Sequence, residues 1–273
     1  MPVLRTRLTI ALALLVLGGA SGILLLGGDG EGRVTEAHRV VNWSPPGKRP
    51  MSDEKAAALV TPVSESVRAN AAANRVVPTR AQLAAFRSAR TAEGQTTVQY
   101  NRLTRYVTGH PVGLETPSTD ELIQWVAHKW GIPTNLIRAQ IAVESHGRQG
   151  FRGDRETVPA QWYGRYPQHA RIPGGREVYE SLGIAQVKWT PDGKIGAGTE
   201  PLRWRSTAFS LDYFAATLRY YYDGLCVWCG PGYQAGDSWN SAGAWFSPAP
   251  WANDRTRTYI RELQQALRNR SGG

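Results

Sequence analysis

From Pro117 to the C-terminus, apolar residues recur at helical spacing between explicit start and stop signals, and this punctuation confines the region to a mainly α fold. In "PSTDELIQWVAHKWG", Ser118 and Glu121 form a capping-box pattern ahead of Leu122, Trp125 and Val126, and Gly131 ends the run. A second helix is predicted from Pro133, which suits a first turn, through Leu136, Ile137, Ile141 and Ala142 to a stop at Gly147. Residues 206–223 repeat apolar positions at Leu211, Phe214, Leu218 and Tyr221, with Ser206 as cap and Gly224 as stop. The last segment, "DRTRTYIRELQQALRNR", carries Ile260, Leu263 and Leu267. The sizeable non-helical candidates lie between residues 147 and 190, so a small β or loop insertion is expected there. No internal repeat is visible.

The N-terminal half reads differently. Arg5 and Arg7 precede an uncharged apolar stretch from Leu8 to Gly28, and Asp29 and Glu31 follow it. That asymmetry places the remainder of the chain beyond the membrane, on a single-pass anchor over residues 1–28; cleavage within "GGASG" would make it secreted instead. Residues 29–77 are rich in Ala, Pro, Ser and Asn and read as a flexible linker, with a short helix starting at Asp53 after Ser52. Residues 78–114 form a basic helical extension in which Leu83 and Phe86 share one segment and Leu103, Tyr106 and Val107 another. The domain proper is expected over 115–273.

The formal net charge of +10 favours an anionic partner. Ten tryptophans and eleven tyrosines, nearly all beyond residue 100, supply aromatic surface for a core or for stacking on sugar rings. Basic residues are spread along the chain and the N-terminus implies export, so nucleic acid is not the expected partner. The two cysteines, Cys226 and Cys229 in "LCVWCGPG", are expected to close a short disulfide outside the membrane. A lone CxxC offers zinc half its ligands and follows an apparent helix, so neither a metal site nor a redox centre is expected.

The stretch "IRAQIAVESHG" sets Glu144 three residues after Ile141, at the edge of the buried face of its helix. Lost hydration disfavours the charged form, raises the pKa and leaves a proton to donate near neutral pH. Those are the properties of a general acid.

Downstream stands "YESLGIAQVKW". The pair "ES" closing an apolar helix, followed by "GIAQ", resembles the lytic transglycosylases with a goose-type lysozyme fold, over roughly residues 115–270. The resemblance implies a lysozyme-like helical domain in which Glu144 is the catalytic acid and Ser145, Gly183, Ile184, Gln186 and Trp245 bind substrate, with the glutamine a cleft residue that contacts sugar. Gln186 read by itself either reaches a sugar or satisfies a buried backbone group. The family's third motif is matched loosely by "GAWFSP", with Trp245 in place of the usual tyrosine. Between the first two motifs this chain carries a long insertion, 148–178, whose Trp162, Tyr163 and Tyr166 are expected along the cleft.

Most glycosidases need two carboxylates, whereas a lytic transglycosylase needs one. The implied activity is cleavage of the β-1,4 bond between N-acetylmuramic acid and N-acetylglucosamine in peptidoglycan, forming 1,6-anhydro ends with no cofactor. The implied partners are the glycan strand, the membrane through the N-terminal segment, and an envelope-spanning assembly. A hydrolytic muramidase, for which Glu180 is the candidate second carboxylate, and a peptidoglycan-binding module without turnover are the alternatives.

Overall fold

The computed structural model describes residues 42–91 and 102–271. The expected anchor at 1–28 lies outside them, and no helix among the described residues is long and apolar enough to cross a membrane.

The architecture is mainly helical, with one small antiparallel sheet. Short helices α1 (Asp53–Ala57) and α2 (Ala71–Asn74) precede α3 (Arg80–Thr91), α4 (Thr119–Trp130) and α5 (Thr134–Ser145). Strand β1 (Arg152–Thr157), helix α6 (Ala160–Tyr163), and strands β2 (Glu177–Leu182) and β3 (Val187–Lys188) follow. Helices α7 (Leu202–Arg205), α8 (Thr207–Tyr222), α9 (Ser238–Gly243) and α10 (Asp254–Ser271) complete the chain.

The caps form as their sequences dictate. Ser118 Oγ accepts the Glu121 N–H at 3.2 Å while Glu121 Oε2 accepts the Ser118 N–H at 2.7 Å, and Gly131 ends α4 in the left-handed region at φ 61°. Helix α5 stops one residue earlier than expected, because His146 itself takes φ 54° and closes the turn onto Ala142. Helix α8 is the axis of the fold: every one of its residues from Thr207 to Tyr222 is buried. A helix buried on all sides must neutralise its own polar groups. Asp212 does so by accepting from Lys129 Nζ (2.8 Å) and Trp130 Nε1 (2.7 Å) of α4 and from the N–H groups of Thr108 (2.8 Å) and Gly109 (3.0 Å).

The segment expected as a flexible linker is packed from residue 42 onward. Trp43 stacks on Tyr222 with ring centroids 4.4 Å apart, and the Ser44 N–H donates to Gly131 O at 2.8 Å. Glu65 Oε2 accepts from the Thr119 N–H (2.7 Å), and Asn70 Nδ2 donates to Gly147 O (2.7 Å). Composition misled here because this stretch is held by carboxylate and amide hydrogen bonds, which leave no apolar period to read.

The insertion forms an antiparallel sheet in the order β1-β2-β3, with Gly153 opposite Ser181 and Leu182 opposite Val187. It carries its own core of Val158, Tyr166, Ala170, Val178 and Leu182. Trp162 and Tyr163, expected along a cleft, pack against that core instead, since a sheet this small needs aromatic cover on its inner face. Cys226 and Cys229 form a disulfide just after α8.

Replacing Asp212 by Asn removes one of the two carboxylates that Lys129 meets and leaves Asp53 as the other, so unfolding stability should fall by about 3 kcal/mol, the lower end for breaking a buried pair. Arg138→Ala, which breaks the part-exposed pair with Asp120, should cost about 1 kcal/mol or less. Urea denaturation of the two variants side by side checks the contrast.

Candidate functional site

Glu144 lies at the last turn of α5, half-buried, where α5 packs against α10. Its carboxylate accepts a hydrogen bond from the hydroxyl of Tyr259, a buried residue of α10. Phe246 stacks on Tyr259 with centroids 5.2 Å apart and planes 8° from parallel, and Phe246 is itself 48% exposed. An exposed aromatic face thus lies one ring away from the carboxyl group. Gln140, one turn earlier on α5, donates to Ala242 O at 3.0 Å and ties the same helix to α9.

Burial dominates the electrostatics of Glu144 and raises its pKa from 4.5 to about 7. The Tyr259 hydroxyl opposes that shift by hydrogen bonding to the charged form, while the negative charges of Asp154 and Glu262 add to it. The group is therefore divided between its two protonation states near neutral pH, which suits one residue giving and then recovering a proton.

The two sequence motifs meet in space. Ser145 Oγ donates to Ile184 O at 2.7 Å and to Ile141 O at 3.3 Å, clasping the end of α5 onto the turn between β2 and β3. Gln149 Oε1 accepts the Ile184 N–H at 3.0 Å, and the Gln149 N–H donates to Asn70 Oδ1 at 2.9 Å. Asn70, Gln149, Ile184 and Ser145 form one polar seam that fixes the chain just after the carboxylate.

That seam corrects the roles expected for several residues. Ser145 and Ile184 are fully buried and Gly183 is buried too, so none of them presents a surface to substrate. Gly183 is needed for its conformation: it holds φ 86°, and a Cβ there would sit 2.2 Å from Arg203 O. Gln186 takes the second of the two readings open to it, donating its amide to Gly183 O (2.7 Å) and Phe151 O (3.3 Å). A turn whose backbone carbonyls face inward must find internal donors, and the serine and glutamine supply them. Trp245 is half-buried and meets Phe214 edge-on at 4.8 Å, which places it beside the α9–α10 wall as a packing residue.

Glu180 is not positioned as the partner carboxylate. It accepts from the Tyr166 hydroxyl at 2.6 Å and pairs with Lys188 at 3.1 Å, within the small core of the insertion. The carboxylates whose charges act on Glu144 are Asp154 and Glu262. Asp154 sits in β1 at φ 49° and accepts from Ser181 Oγ at 2.6 Å.

Sequence reasoning missed Tyr259, Phe246, Asn70 and Asp154. A signal existed for Tyr259, which precedes Leu263 and Leu267 by four and eight residues and so shares their buried helix face. No comparable signal marks Asn70 or Asp154, whose importance comes from contacts across long sequence separations. Cavities of about 710 and 420 Å³ lie elsewhere on the fold, and Glu144 lines neither. Among the described residues no cluster of side chains is suited to hold a metal ion.

No protein-family model, curated protein or solved structure matches this chain, so the functional reading rests on the site itself. The raised pKa has a testable sign. Ionising Glu144 opposes folding, so the stability that its neutral form contributes is complete below pH 4.5 and is lost as pH rises through about 7. Glu144→Gln should therefore gain stability relative to the unaltered protein between pH 5 and pH 9, as read from paired thermal melts. Tyr259→Phe removes the bond that favours the charged form, so the Glu144 carboxyl should titrate at higher pH when followed by carbon-13 NMR.

Proposed function

We propose that this protein is a peptidoglycan lytic transglycosylase with a lysozyme-like helical domain, held at the membrane by its N-terminal segment. The observation that carries the reading is Glu144: a half-buried carboxyl with a pKa near 7, braced by Tyr259 and joined through Ser145 to the "GIAQ" turn.

In this reading, protonated Glu144 donates to the glycosidic oxygen linking N-acetylmuramic acid to N-acetylglucosamine. The bond from that oxygen to the sugar's C1 breaks, and the departing sugar leaves as an alcohol. The substrate's own N-acetyl carbonyl oxygen stabilises the positive charge left at C1. Glu144, now a carboxylate, takes the proton of the same sugar's 6-hydroxyl, and that oxygen bonds to C1 to close the 1,6-anhydro ring. The carboxyl is regenerated and no water is consumed. Because the attacking oxygen is tethered to the reacting sugar, the second step has the high effective concentration of an intramolecular reaction. The exposed ring of Phe246 offers a stacking face for a sugar beside the acid.

One observation favours hydrolysis instead. Asp154 is the first of the two carboxylates that raise the pKa of Glu144, and a carboxylate across from the acid is what activation of water requires.

Digestion of purified peptidoglycan by the full chain, with the fragments weighed by mass spectrometry, separates the readings. Transglycosylation predicts ends one water lighter than reducing ends. Glu144→Gln should lower the rate by about 10²–10⁴-fold, the usual contribution of a general acid. Reducing ends, together with loss of activity in Asp154→Asn, would establish hydrolysis. Failure of the unaltered protein to release any fragment would sink the enzymatic proposal.

A further inference from the structure

We propose that the cavity of about 710 Å³ lined by residues 47–50 and 102–106, which Glu144 does not line, is a binding site for a phosphate ester, held by Lys48, Arg49, Arg102 and Arg105. Two separate stretches of chain converge there: residues 47–50, in the packed N-terminal segment, and residues 102–106, while Asp223 and Leu225 close the cavity from the end of α8.

The charge distribution is what points to an anion. Among the described residues, none of those four cations pairs with a carboxylate, and what distinguishes them from other unpaired surface arginines such as Arg75 and Arg80 is that all four line one concavity. Asp223, the acid among the described residues of the cavity wall, is already committed: it pairs with Arg219 and accepts the Gly47 N–H at 3.0 Å. Four positive groups drawn around one concavity repel each other unless a multiply charged anion sits among them.

The geometry favours a phosphate over a simple carboxylate. Arg49 and Arg105 flank the ring of Tyr106, with guanidinium carbons 5.6 and 4.8 Å from its centroid, and Arg105 also donates to the Tyr106 hydroxyl at 2.8 Å. Stacking on a shared ring holds the two forks in place, so fewer rotamers are lost when they bind a tetrahedral oxyanion. The cavity is far larger than one phosphate group, and Leu103, Leu225 and Pro50 give its wall an apolar portion, so the ligand carries an organic substituent. A lipid headgroup and a soluble phosphorylated glycerol or sugar both supply that chemistry. The proposal does not depend on the glycan-cleaving reading, because no residue is shared between the two sites.

The test is calorimetric titration of the full chain with glycerol phosphate, alone and in the presence of phosphatidylglycerol or phosphatidylcholine vesicles. Saturable binding is expected, weakened at least about tenfold, or 1.4 kcal/mol, in Arg49→Gln/Arg105→Gln. It should be unchanged in Arg75→Gln/Arg80→Gln, which removes the same charge elsewhere. All four positions are exposed, so neither variant disturbs the core. Competition by phosphatidylglycerol but not phosphatidylcholine assigns the site to a lipid headgroup; undiminished binding beside both vesicles assigns it to a soluble ester. Absence of saturation by the unaltered chain in every arm, or equal weakening in the two double variants, overturns the proposal.

Discussion

The carboxylate of Asp212 is fully buried at the middle of α8 and accepts four hydrogen bonds, from Lys129, Trp130, Thr108 and Gly109. Lys129 also pairs with Asp53 of α1 at 2.7 Å, so one buried cluster links α1, the end of α4, the 108–109 turn and the central helix. A buried charge costs several kcal/mol unless its partners are all in place, so this cluster tolerates one arrangement of those elements and penalises the others. Gly109 belongs to the same constraint. A Cβ there would lie 2.8 Å from the backbone of Phe209, and only a residue without one lets the turn approach α8 closely enough to donate.

Fixing α4 against α8 fixes α5 as well, since the two helices pack together. The position of Glu144 follows from that packing. Moving a carboxyl from 4.5 to about 7 corresponds to about 3 kcal/mol against its charged form, an amount that the α5–α10 contact must hold in place. Tyr259 limits the penalty without abolishing it, and this balance leaves the group near the pH at which proton donation and recovery are both accessible. The seam of Asn70, Gln149, Ile184 and Ser145 performs the complementary task, anchoring residues 145–149 just past the carboxyl while the α5–α10 packing holds the helix before it.

The separation of the two sites has a physical consequence. Glu144 sits in low polarity beside charges of its own sign, Asp154 and Glu262, and both effects raise its pKa. The cavity around Tyr106 gathers positive charge instead, and the acid in its wall, Asp223, is held by Arg219 against the burial that raises its pKa. The lining of that cavity does not include Glu144, and no cation of the cavity is among the groups that shift its pKa.

Local patterns in the chain determined much of this. Ser118 with Glu121, Ser206 and the apolar spacing of Leu122, Trp125, Leu211 and Phe214 specified the principal helices, because caps and periodicity act within one or two turns. The position of Glu144 at the edge of its helix's buried face was legible for the same reason. Tertiary structure alone decided that residues 42–77 are packed, that Gln186 serves the backbone, that Glu180 belongs to the insertion's core, and that Tyr259 braces the acid. Each of these depends on polar contacts between residues far apart in the chain. Hydrogen bonds of that kind leave no period in a sequence, since any position can supply the donor once the fold has brought it near.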